Sequence, residues 1–459
     1  MGSYMGSYFA AETRISLQNL FQAAVLVIAA NLTFFLMVFV VDASIDHRVL
    51  YEKLAGAAAL GVIDDRDYPA DLATYSDRYT DCVALGLNLV DGPDRRAFGL
   101  MRDTEIAKVD GLNACSALMM MVKDKKSVSA VNYGRYWHGY QILLKPFLRF
   151  GDIRNLRYIL ACLVIGAVFA FSTIVAIGFT SNINGVFKGL WFGLGYLLLT
   201  DGANLGNVFT HSLSLLAIFS MPLAVFWAIK AGVGRPLFLM AVAVGSVNAF
   251  FDLLFNPPLG LSTLVIATVA ASTDKDLSAR DVIRIIAVLS FGWAAGFFGA
   301  YICRFAIAAL LSDSPLTTLQ QIFTAGMFRV SGIEEKIEPV MFWATIKNFG
   351  YPMLKPSFAI FVVVTAAFAA ALPVLGYRAR PRPYFLALLA PAFISVLWFE
   401  ILRNHSQHHH WFTYRSASFS LVCLAAAVIF SFSKKPRPGE IEAPGAQRSS
   451  VVQPGELYV

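Results

Sequence analysis

Carboxylates stand at the ends of several apolar runs in this sequence, where they could act as bases. Asp42 and Asp46 directly follow the first apolar run, Asp252 lies at the end of the fifth, and Glu400 lies at the end of the ninth. A carboxylate at a membrane boundary can accept a proton from a hydroxyl group while a phosphate departs. Each could also be an ordinary helix end facing water. All of them map to one predicted side of the membrane, which makes them candidate bases.

The segment from Tyr133 to Tyr140, with the sequence YGRYWHGY, combines aromatic rings with a basic side chain. Its density of tyrosine and tryptophan is typical of an aromatic belt at lipid headgroups. Basic residues also crowd this flank of the second apolar run, where the charge rule disfavours them. Guanidinium groups match phosphate oxygens, so a lipid-linked phosphate would explain the cluster. We predict donor-phosphate ligands at Arg135, Lys145 and Arg149, and sugar or acceptor ligands at Tyr136, Trp137 and His138.

The segment from Glu400 to Arg415 is a second dense group of polar side chains between two apolar runs. It contains a carboxylate, imidazoles, an amide, hydroxyls and guanidiniums. So many polar groups at a membrane edge indicate contact with a substrate, although a hairpin turn satisfied by its own hydrogen bonds is the alternative. We predict that Arg415 binds the donor phosphate. The predicted sugar or acceptor ligands are Asp252, Glu400, Asn404, His405, His408 and Tyr414.

All seven histidines map to the same predicted side. A metal site is one interpretation, but His408, His409 and His410 are consecutive, and adjacent residues on a helix point about 100° apart. We therefore predict no metal ligands and no cofactor. The sequence also lacks a Walker phosphate loop, a dinucleotide-binding glycine motif, a G-x-S-x-G elbow, H-E-x-x-H and C-x-x-C. Any activated donor is therefore expected to be lipid-borne rather than a cytoplasmic nucleotide.

Composition places these residues in a membrane protein. The 459 residues are 57% hydrophobic and 15% charged, whereas soluble domains are about 45–50% apolar and about 25% charged. A soluble enzyme, a disordered protein and a fibrous protein are excluded. The apolar runs are continuous and do not alternate, which argues against a β-barrel. At roughly 20 residues per crossing, the composition predicts an all-α fold of about ten transmembrane helices.

Ten apolar runs are visible, of which the third and sixth are short. Basic residues in four short loops fall on one side if the N-terminus is cytoplasmic, so we predict an N-in, C-in topology. The net charge of +7 is then partly a set of cytoplasmic membrane anchors, and nucleic acid is not an expected partner. The runs are Leu17–Val41, Tyr158–Thr180, Phe187–Thr200, Thr210–Ile229, Leu237–Phe255, Leu259–Ala271, Ile285–Cys303, Phe358–Leu375, Tyr384–Leu402 and Ala417–Phe432.

Polar segments divide the chain into five predicted regions. They are a cytoplasmic N-terminus (1–16), the first transmembrane helix (17–41), an extracytoplasmic subdomain with amphipathic interfacial helices (42–156), a transmembrane bundle (157–432) with an outer loop at 304–356, and a disordered cytoplasmic tail (433–459). Cys82 and Cys115 both fall in the subdomain. We predict a disulfide between them if this region faces an oxidising compartment.

Three motifs resemble a family of polytopic bacterial membrane proteins of the GT-C glycosyltransferase type, similar to the pilin arabinofuranosyltransferase of pseudomonads. They are Tyr133–Tyr140 with the following LKPFL, Phe251 and Asp252 ahead of a proline, and the NHSxxHxWFTYR pattern that ends at Arg415. Enzymes of this type have a large first outer loop, and their catalytic carboxylate follows the first span. The resemblance therefore implies Asp42 or Asp46 as the base. No Asp-Asp or Asp-Glu pair is present there, so both stay candidates.

The resemblance implies transfer of a sugar, with D-arabinofuranose as a candidate, from a polyprenyl phosphate to a glycan, lipid or protein acceptor such as a pilin. It also implies a bacterial inner-membrane protein whose active site faces the periplasm. The alternatives are a transporter or flippase for a lipid-linked or anionic solute, and a membrane acyl- or phosphotransferase. A transporter predicts internal repeats and polar groups near the middle of the membrane. No repeat is evident and the charges lie on one side, which favours an enzyme.

Overall fold

Helices make up most of the fold. The computed structural model describes residues 13, 15–63, 65–67, 77–87, 89, 104–124, 128–180, 184–233, 236–332, 340–379 and 382–434. Most of the predicted cytoplasmic N-terminus and nearly all of the predicted tail lie outside the described residues. In chain order the helices are α1 (Leu17–Ser44), α2 (His47–Ala59), α3 (Arg78–Gly86), α4 (Ala114–Val122), α5 (Gln141–Phe150), α6 (Ile153–Thr180), α7 (Asn184–Leu199), α8 (Phe209–Lys230), α9 (Leu237–Phe251), α10 (Pro257–Ala271), α11 (Ala279–Leu311), α12 (Pro315–Ser331), α13 (Trp343–Met353), α14 (Pro356–Val374), α15 (Phe385–Ile401), α16 (Arg403–His408) and α17 (His410–Ser431).

Six of these helices, α1, α6, α8, α11, α14 and α17, are long and apolar enough to cross a membrane. Four more, α7, α9, α10 and α15, are apolar but only 15 to 17 residues long. The class of all-α membrane protein is thus confirmed, whereas ten crossings and their orientation stay predictions. The helix that contains the seventh predicted run extends beyond it at both ends, since α11 has 33 residues. It is about 50 Å long, which exceeds the roughly 30 Å hydrocarbon core.

The segment between α1 and α6 contains short elements that are fastened to one another. Strand β1 (Glu105–Lys108) pairs antiparallel with β2 (Ser129–Asn132). A disulfide joins Cys82 on α3 to Cys115 on α4, with Cα atoms 5.1 Å apart, so the predicted pairing is present. The Tyr51 hydroxyl of α2 donates to the carbonyl of Met121 on α4. Helix α3 is therefore held by a covalent link to its neighbour.

The two ends of the bundle hold different kinds of contact. At one end, which we call the loop end, the segment between α1 and α6 packs onto the helix connections, and the N–H of Gly139 donates to the carbonyl of Phe250 (3.0 Å). At the opposite end short turns close on one another: the Thr273 hydroxyl donates to the carbonyl of Gly178 (2.6 Å). There, β3 (Tyr377–Ala379) also pairs with β4 (Phe432–Lys434). The long polar segments thus gather at one end of the bundle.

Small residues let α9 and α11 pack backbone against backbone. Gly292 and Gly296 lie one turn apart on α11, and a Cβ atom added at Gly296 would come within 2.0 Å of the carbonyl oxygen of Val242 on α9. This spacing of small residues is typical of closely packed membrane helices. The pair positions two parts of the site: the turn after α9 and the loop-end half of α11, where Arg304 is buried.

Candidate active site

Two cavities at the loop end share three side chains. The first, which we call the polar chamber, has a volume of about 600 Å³. The second, the apolar groove, has a volume of about 650 Å³. Arg135, Tyr136 and Arg329 line both of them. A ligand with a polar head and an apolar chain could therefore occupy both cavities, with the charged linkage between head and chain beside these three side chains.

The polar chamber is walled by aromatic rings, amides and hydroxyls. Helix α12 contributes Gln320, Gln321 and Thr324. Amides and hydroxyls can both donate and accept hydrogen bonds, and aromatic rings present flat apolar faces, so this lining suits a sugar. Among the described lining residues, Asp77 is the carboxylate. The rings include Tyr79, Tyr133, Phe255, Phe328 and Phe412.

The apolar groove lies between α11, α12 and α15. Its lining is almost wholly hydrophobic and includes Phe297 and Tyr301 of α11, Phe323 and Met327 of α12, and Trp398 of α15. Helix α12 therefore separates the two cavities, with its amide face towards the chamber and its apolar face towards the groove. None of its residues is fully buried. It acts as an amphipathic wall rather than as part of the core.

The Tyr133–Tyr140 segment is held against the bundle by buried contacts. The indole of Trp137 donates to the carbonyl of Ala300 (3.0 Å), and Arg304 donates through Nε to the carbonyl of Tyr136 (2.8 Å). A Cβ atom at Gly139 would lie 2.5 Å from Phe250, so only glycine fits there. The segment is thus packed into the core, and it presents Arg135 at the cavity wall.

His138 has a structural position within this segment. Its ring nitrogen Nε2 donates to the carbonyl of Tyr133 (3.0 Å), so its Nδ1 accepts from the Tyr140 hydroxyl (3.1 Å). Burial lowers the pKa of His138 to about 3, which keeps the ring neutral. Its φ of 54° lies in the left-handed region. Neither His138 nor Trp137 lines a cavity, so both predicted sugar ligands instead hold the loop that carries Arg135.

Two guanidinium groups meet at the junction of the cavities. Arg135 lies over the Tyr133 ring at 4.2 Å, and Arg329 donates to the Tyr136 hydroxyl. The Nε atoms of both arginines are buried without a hydrogen-bond partner among the described residues. Among these same residues, neither arginine forms an ion pair with a carboxylate. Burial by itself would raise the pKa of Tyr136, but Arg329 and Arg135 outweigh it and lower that pKa. The junction therefore favours an anion.

Asp77 lines the same chamber as the two arginines. It caps α3, accepting hydrogen bonds from the N–H (3.1 Å) and the hydroxyl (2.6 Å) of Thr80. The Nε2 atom of His211 on α8 lies 3.4 Å from Oδ2. Burial raises the pKa of Asp77 to about 6, although the Thr80 hydrogen bonds and Arg415 act to lower it. Asp77 is thus a stronger base than an ordinary aspartate, yet it stays ionised at neutral pH.

The predicted bases and two predicted phosphate ligands lie elsewhere. Asp42 and Asp46 line neither cavity. Asp42 is buried, accepts from Lys145 and lies 3.2 Å from the His47 ring. Asp46 caps α2, and Arg149 donates to a carbonyl at the end of α1 (3.1 Å). These side chains fasten α2 and α5 to the end of α1, whereas Asp77 lines the polar chamber.

The Glu400–Arg415 segment reaches the chamber only in part. His405 lines it and donates through Nε2 to the carbonyl of Leu254 (3.1 Å); burial, and then Arg329, lower the pKa of His405 to about 3. Asn404 supports α12 by donating to a backbone carbonyl (2.8 Å). Glu400 accepts from a hydroxyl on α13 (2.7 Å). Glu400, His408 and Tyr414 line neither cavity.

Two further predicted ligands lie behind the cavity walls. Asp252 accepts from the N–H groups of Phe255 (2.6 Å) and Asn256 (3.0 Å), which shapes the turn whose side chains line both cavities. Arg415 donates to Nδ1 of His211 (3.0 Å). Of the predicted ligands, the structure thus brings Arg135, Tyr136 and His405 together at the cavities.

Sequence reasoning missed Asp77 and Arg329. Asp77 lies in the middle of the predicted first loop, far from any apolar run, and its only signal is a capping pattern with Thr80 three residues later. Arg329 follows an amphipathic stretch in the second outer loop. A basic residue on a predicted outer side breaks the charge rule there just as Arg135 does. That shared irregularity is the signal that could have found it.

Among the described residues, no group of three or more His, Cys, Asp or Glu side chains is arranged to hold a metal ion. No family model, curated protein or solved structure matches the chain. The case for a function therefore depends on the geometry of the chamber, the groove and their junction.

Proposed function

We propose that the chain is a membrane glycosyltransferase that uses a polyprenyl-phosphate sugar as its donor. The observation that carries this proposal is the junction of the two cavities at Arg135 and Arg329. In such a donor one phosphate joins an apolar chain to a sugar. The groove, the two arginines and the chamber follow one another in the same order as the apolar chain, the phosphate and the sugar of such a donor. The motifs that resemble the GT-C type point to the same reaction.

In the proposed reaction Asp77 is the base. An acceptor hydroxyl oxygen forms a bond to the anomeric carbon, the bond from that carbon to the phosphate oxygen breaks, and its electron pair stays on the phosphate. The hydroxyl proton moves to Asp77. The phosphate gains a negative charge as it leaves, and Arg135 and Arg329 stabilise that charge with preorganised donors. The reaction needs no redox partner.

The resemblance alone supplies the candidate sugar and acceptor. D-Arabinofuranose is the first sugar to test, and a glycan, a lipid or a pilin hydroxyl is the candidate acceptor. The same proposal places the protein in a bacterial inner membrane with the loop end facing the periplasm. The amide-rich wall of α12 supports a neutral polyhydroxylated head group, because Gln320 and Gln321 offer both donors and acceptors.

The test is transfer by the purified full chain in nanodiscs, with a panel of polyprenyl-phosphate sugars that begins with D-arabinofuranose. A hydrogen bond to a charged group contributes about 1.5–3 kcal/mol. We expect Arg135→Gln and Arg329→Gln each to lower kcat/KM about 10–100-fold. Arg154→Gln is the matched control, since Arg154 is exposed and lines neither cavity. Equal transfer by all four proteins contradicts the proposal.

The same purified chain in sealed liposomes separates the alternatives. Movement of the intact lipid-linked sugar across the bilayer without transfer identifies a flippase. Transfer of an acyl or phosphoryl group instead of the sugar identifies the other class of enzyme. Either result overturns the proposal that the chain is a glycosyltransferase.

A further inference from the structure

A chain of buried polar contacts lies behind Asp77 and outside the chamber. Arg415 on α17 donates through Nη1 to Nδ1 of His211 on α8 (3.0 Å). The Nε2 atom of the same ring lies 3.4 Å from Oδ2 of Asp77. Neither His211 nor Arg415 lines the chamber. We propose that His211 and Arg415 are positioning residues that orient the Asp77 carboxylate as a proton acceptor, an inference that rests on the proposed function.

The protonation of the His211 ring follows from its partner. A guanidinium group is always charged and can only donate hydrogen bonds. Because Arg415 donates to Nδ1, that nitrogen carries a lone pair. The hydrogen of the neutral ring is therefore on Nε2, which faces Asp77. His211 cannot gain a second proton without breaking the contact with Arg415, so it orients the base and does not act as the base.

The Asp81 carboxylate holds α3 next to the start of α8, and so keeps Asp77 near His211. Asp81 lies one turn after Asp77 on α3, and it accepts from Arg157 of α6 (2.7 Å) and from the N–H of Phe209 (3.1 Å). Phe209 is the first residue of α8, two positions before His211. The carboxylate of Asp81 thus anchors α3 to the helix start that carries His211, where the helix dipole favours an anion.

Aromatic packing fixes the orientation of the ring itself. The His211 ring lies edge-on to Phe255, with centroids 4.1 Å apart, and against Phe412 at 5.5 Å. Both phenylalanines also line the chamber. The ring is therefore clamped between the chamber wall and Arg415. The 3.4 Å approach of Nε2 to Asp77 is not a hydrogen bond, since Nε2 has no hydrogen-bond partner among the described residues, so its N–H acts on the carboxylate as a nearby dipole.

Arg415 blocks transfer of the Asp77 proton through the His211 ring, because it occupies Nδ1. The chamber that Asp77 lines gives this proton a route to the solvent. Removing Arg415 takes away a nearby positive charge, and removing His211 takes away the N–H dipole that lies 3.4 Å from the carboxylate. Both changes favour the neutral acid. The charged or titratable groups around Asp77 are Asp81 on α3, His211 on α8, Arg415 on α17, and, lining the chamber, Tyr79, Tyr133, Arg135, Tyr136, Arg329, His405 and His409.

The experiment is an infrared titration of the protonated carboxyl band of Asp77 in the full chain, assigned by its loss in Asp77→Asn. A nearby opposite charge lowers a carboxyl pKa by about 1–3 units. We expect the midpoint to rise by about one pH unit in Arg415→Gln and in His211→Leu. In His211→Gln the amide N–H replaces the Nε2 donor, so the midpoint stays at the wild-type value. The acid limb of kcat/KM moves with the midpoint in every variant, whereas KM stays unchanged.

The inference is overturned if Arg415→Gln leaves the midpoint in place, or if His211→Gln shifts it as far as His211→Leu. If His211→Leu does not fold, the contrast between Arg415→Gln and His211→Gln decides the question. The infrared midpoint needs no substrate. A shifted midpoint without any transfer activity would therefore refute the proposed function and leave the positioning contacts standing. Loss of transfer in Asp77→Asn with unmoved midpoints in the other variants would refute the positioning role alone.

Discussion

Filling the apolar groove without disturbing the helix beside it would isolate the lipid part of the proposed donor site. Gly326 lies within α12 and lines the groove. A Cβ atom added there meets no other atom within 4 Å. Replacement by leucine therefore adds a side chain to the groove and not to the packed core.

The size of the effect follows from the lipid that leucine displaces. A leucine side chain takes the place of about three buried methylene groups, and each buried methylene contributes about 0.8 kcal/mol. Binding of undecaprenyl phosphate is then expected to weaken by about 2.4 kcal/mol, or roughly 60-fold in Kd. The folding stability of the chain should instead rise, because leucine in a helix interior is about 0.5–1 kcal/mol more favourable than glycine.

The assay compares Gly326→Leu with Gly350→Leu in nanodiscs, by titration with undecaprenyl phosphate and by thermal unfolding. Gly350 lies within α13, lines neither cavity and also has no atom within 4 Å of an added Cβ. Both variants should unfold at or above the wild-type temperature, and only Gly326→Leu should bind the lipid more weakly. Equal Kd values for the two variants would show that the groove does not hold the chain of the lipid.

Three further perturbations test other parts of the account. Because burial raises the pKa of Asp77 to about 6, the rate of sugar transfer should fall about tenfold per pH unit below that value. Transfer should vanish in Asp77→Asn. A rate that is flat across pH 6 would argue against this base. Cys82→Ser should lower the free energy of unfolding by about 4 kcal/mol, since the disulfide closes a separation of 33 residues. A denaturant titration with no change would contradict the pairing. Gly296→Val should destabilise the chain by about 1–3 kcal/mol, because its Cβ would lie 2.0 Å from the carbonyl oxygen of Val242. Gly166→Val is the control, since an added Cβ there meets no atom within 4 Å. Equal melting temperatures for the two variants would refute the close packing.

The helical class could be predicted because continuous apolar runs have one cause, the need to cover a helix with lipid-compatible side chains. The ends of the helices were harder to predict than their existence. The seventh run ends at Cys303 by hydropathy, yet α11 continues to Leu311. Arg304 stands just after the predicted end, but it is buried because carbonyl and hydroxyl oxygens of the neighbouring loop accept its hydrogen bonds. Hydropathy cannot detect a buried guanidinium whose partners come from a distant part of the sequence.

The site could be predicted in part, at Arg135, Tyr136 and His405, which lie in the two dense polar segments. Arg135 was found because a basic residue beside aromatics on an outer flank contradicts the charge rule. Asp42 follows the first span as the resemblance implies, but Lys145 approaches it from about 100 positions away in the chain, a pairing that depends on tertiary packing. Asp77 has the signature of an ordinary cap. Only the folded chain brings it to the chamber that Arg329 also lines.

The central claim is that Arg135 and Arg329 hold the phosphate of a lipid-linked ligand between the two cavities. A cryo-electron-microscopy structure of the full chain with undecaprenyl phosphate tests this most directly. The account predicts phosphate oxygens within hydrogen-bond distance of both guanidiniums and the prenyl chain along Phe323 and Met327 in the groove. Phosphate density at Lys145 and Arg149, with an empty groove, would contradict it.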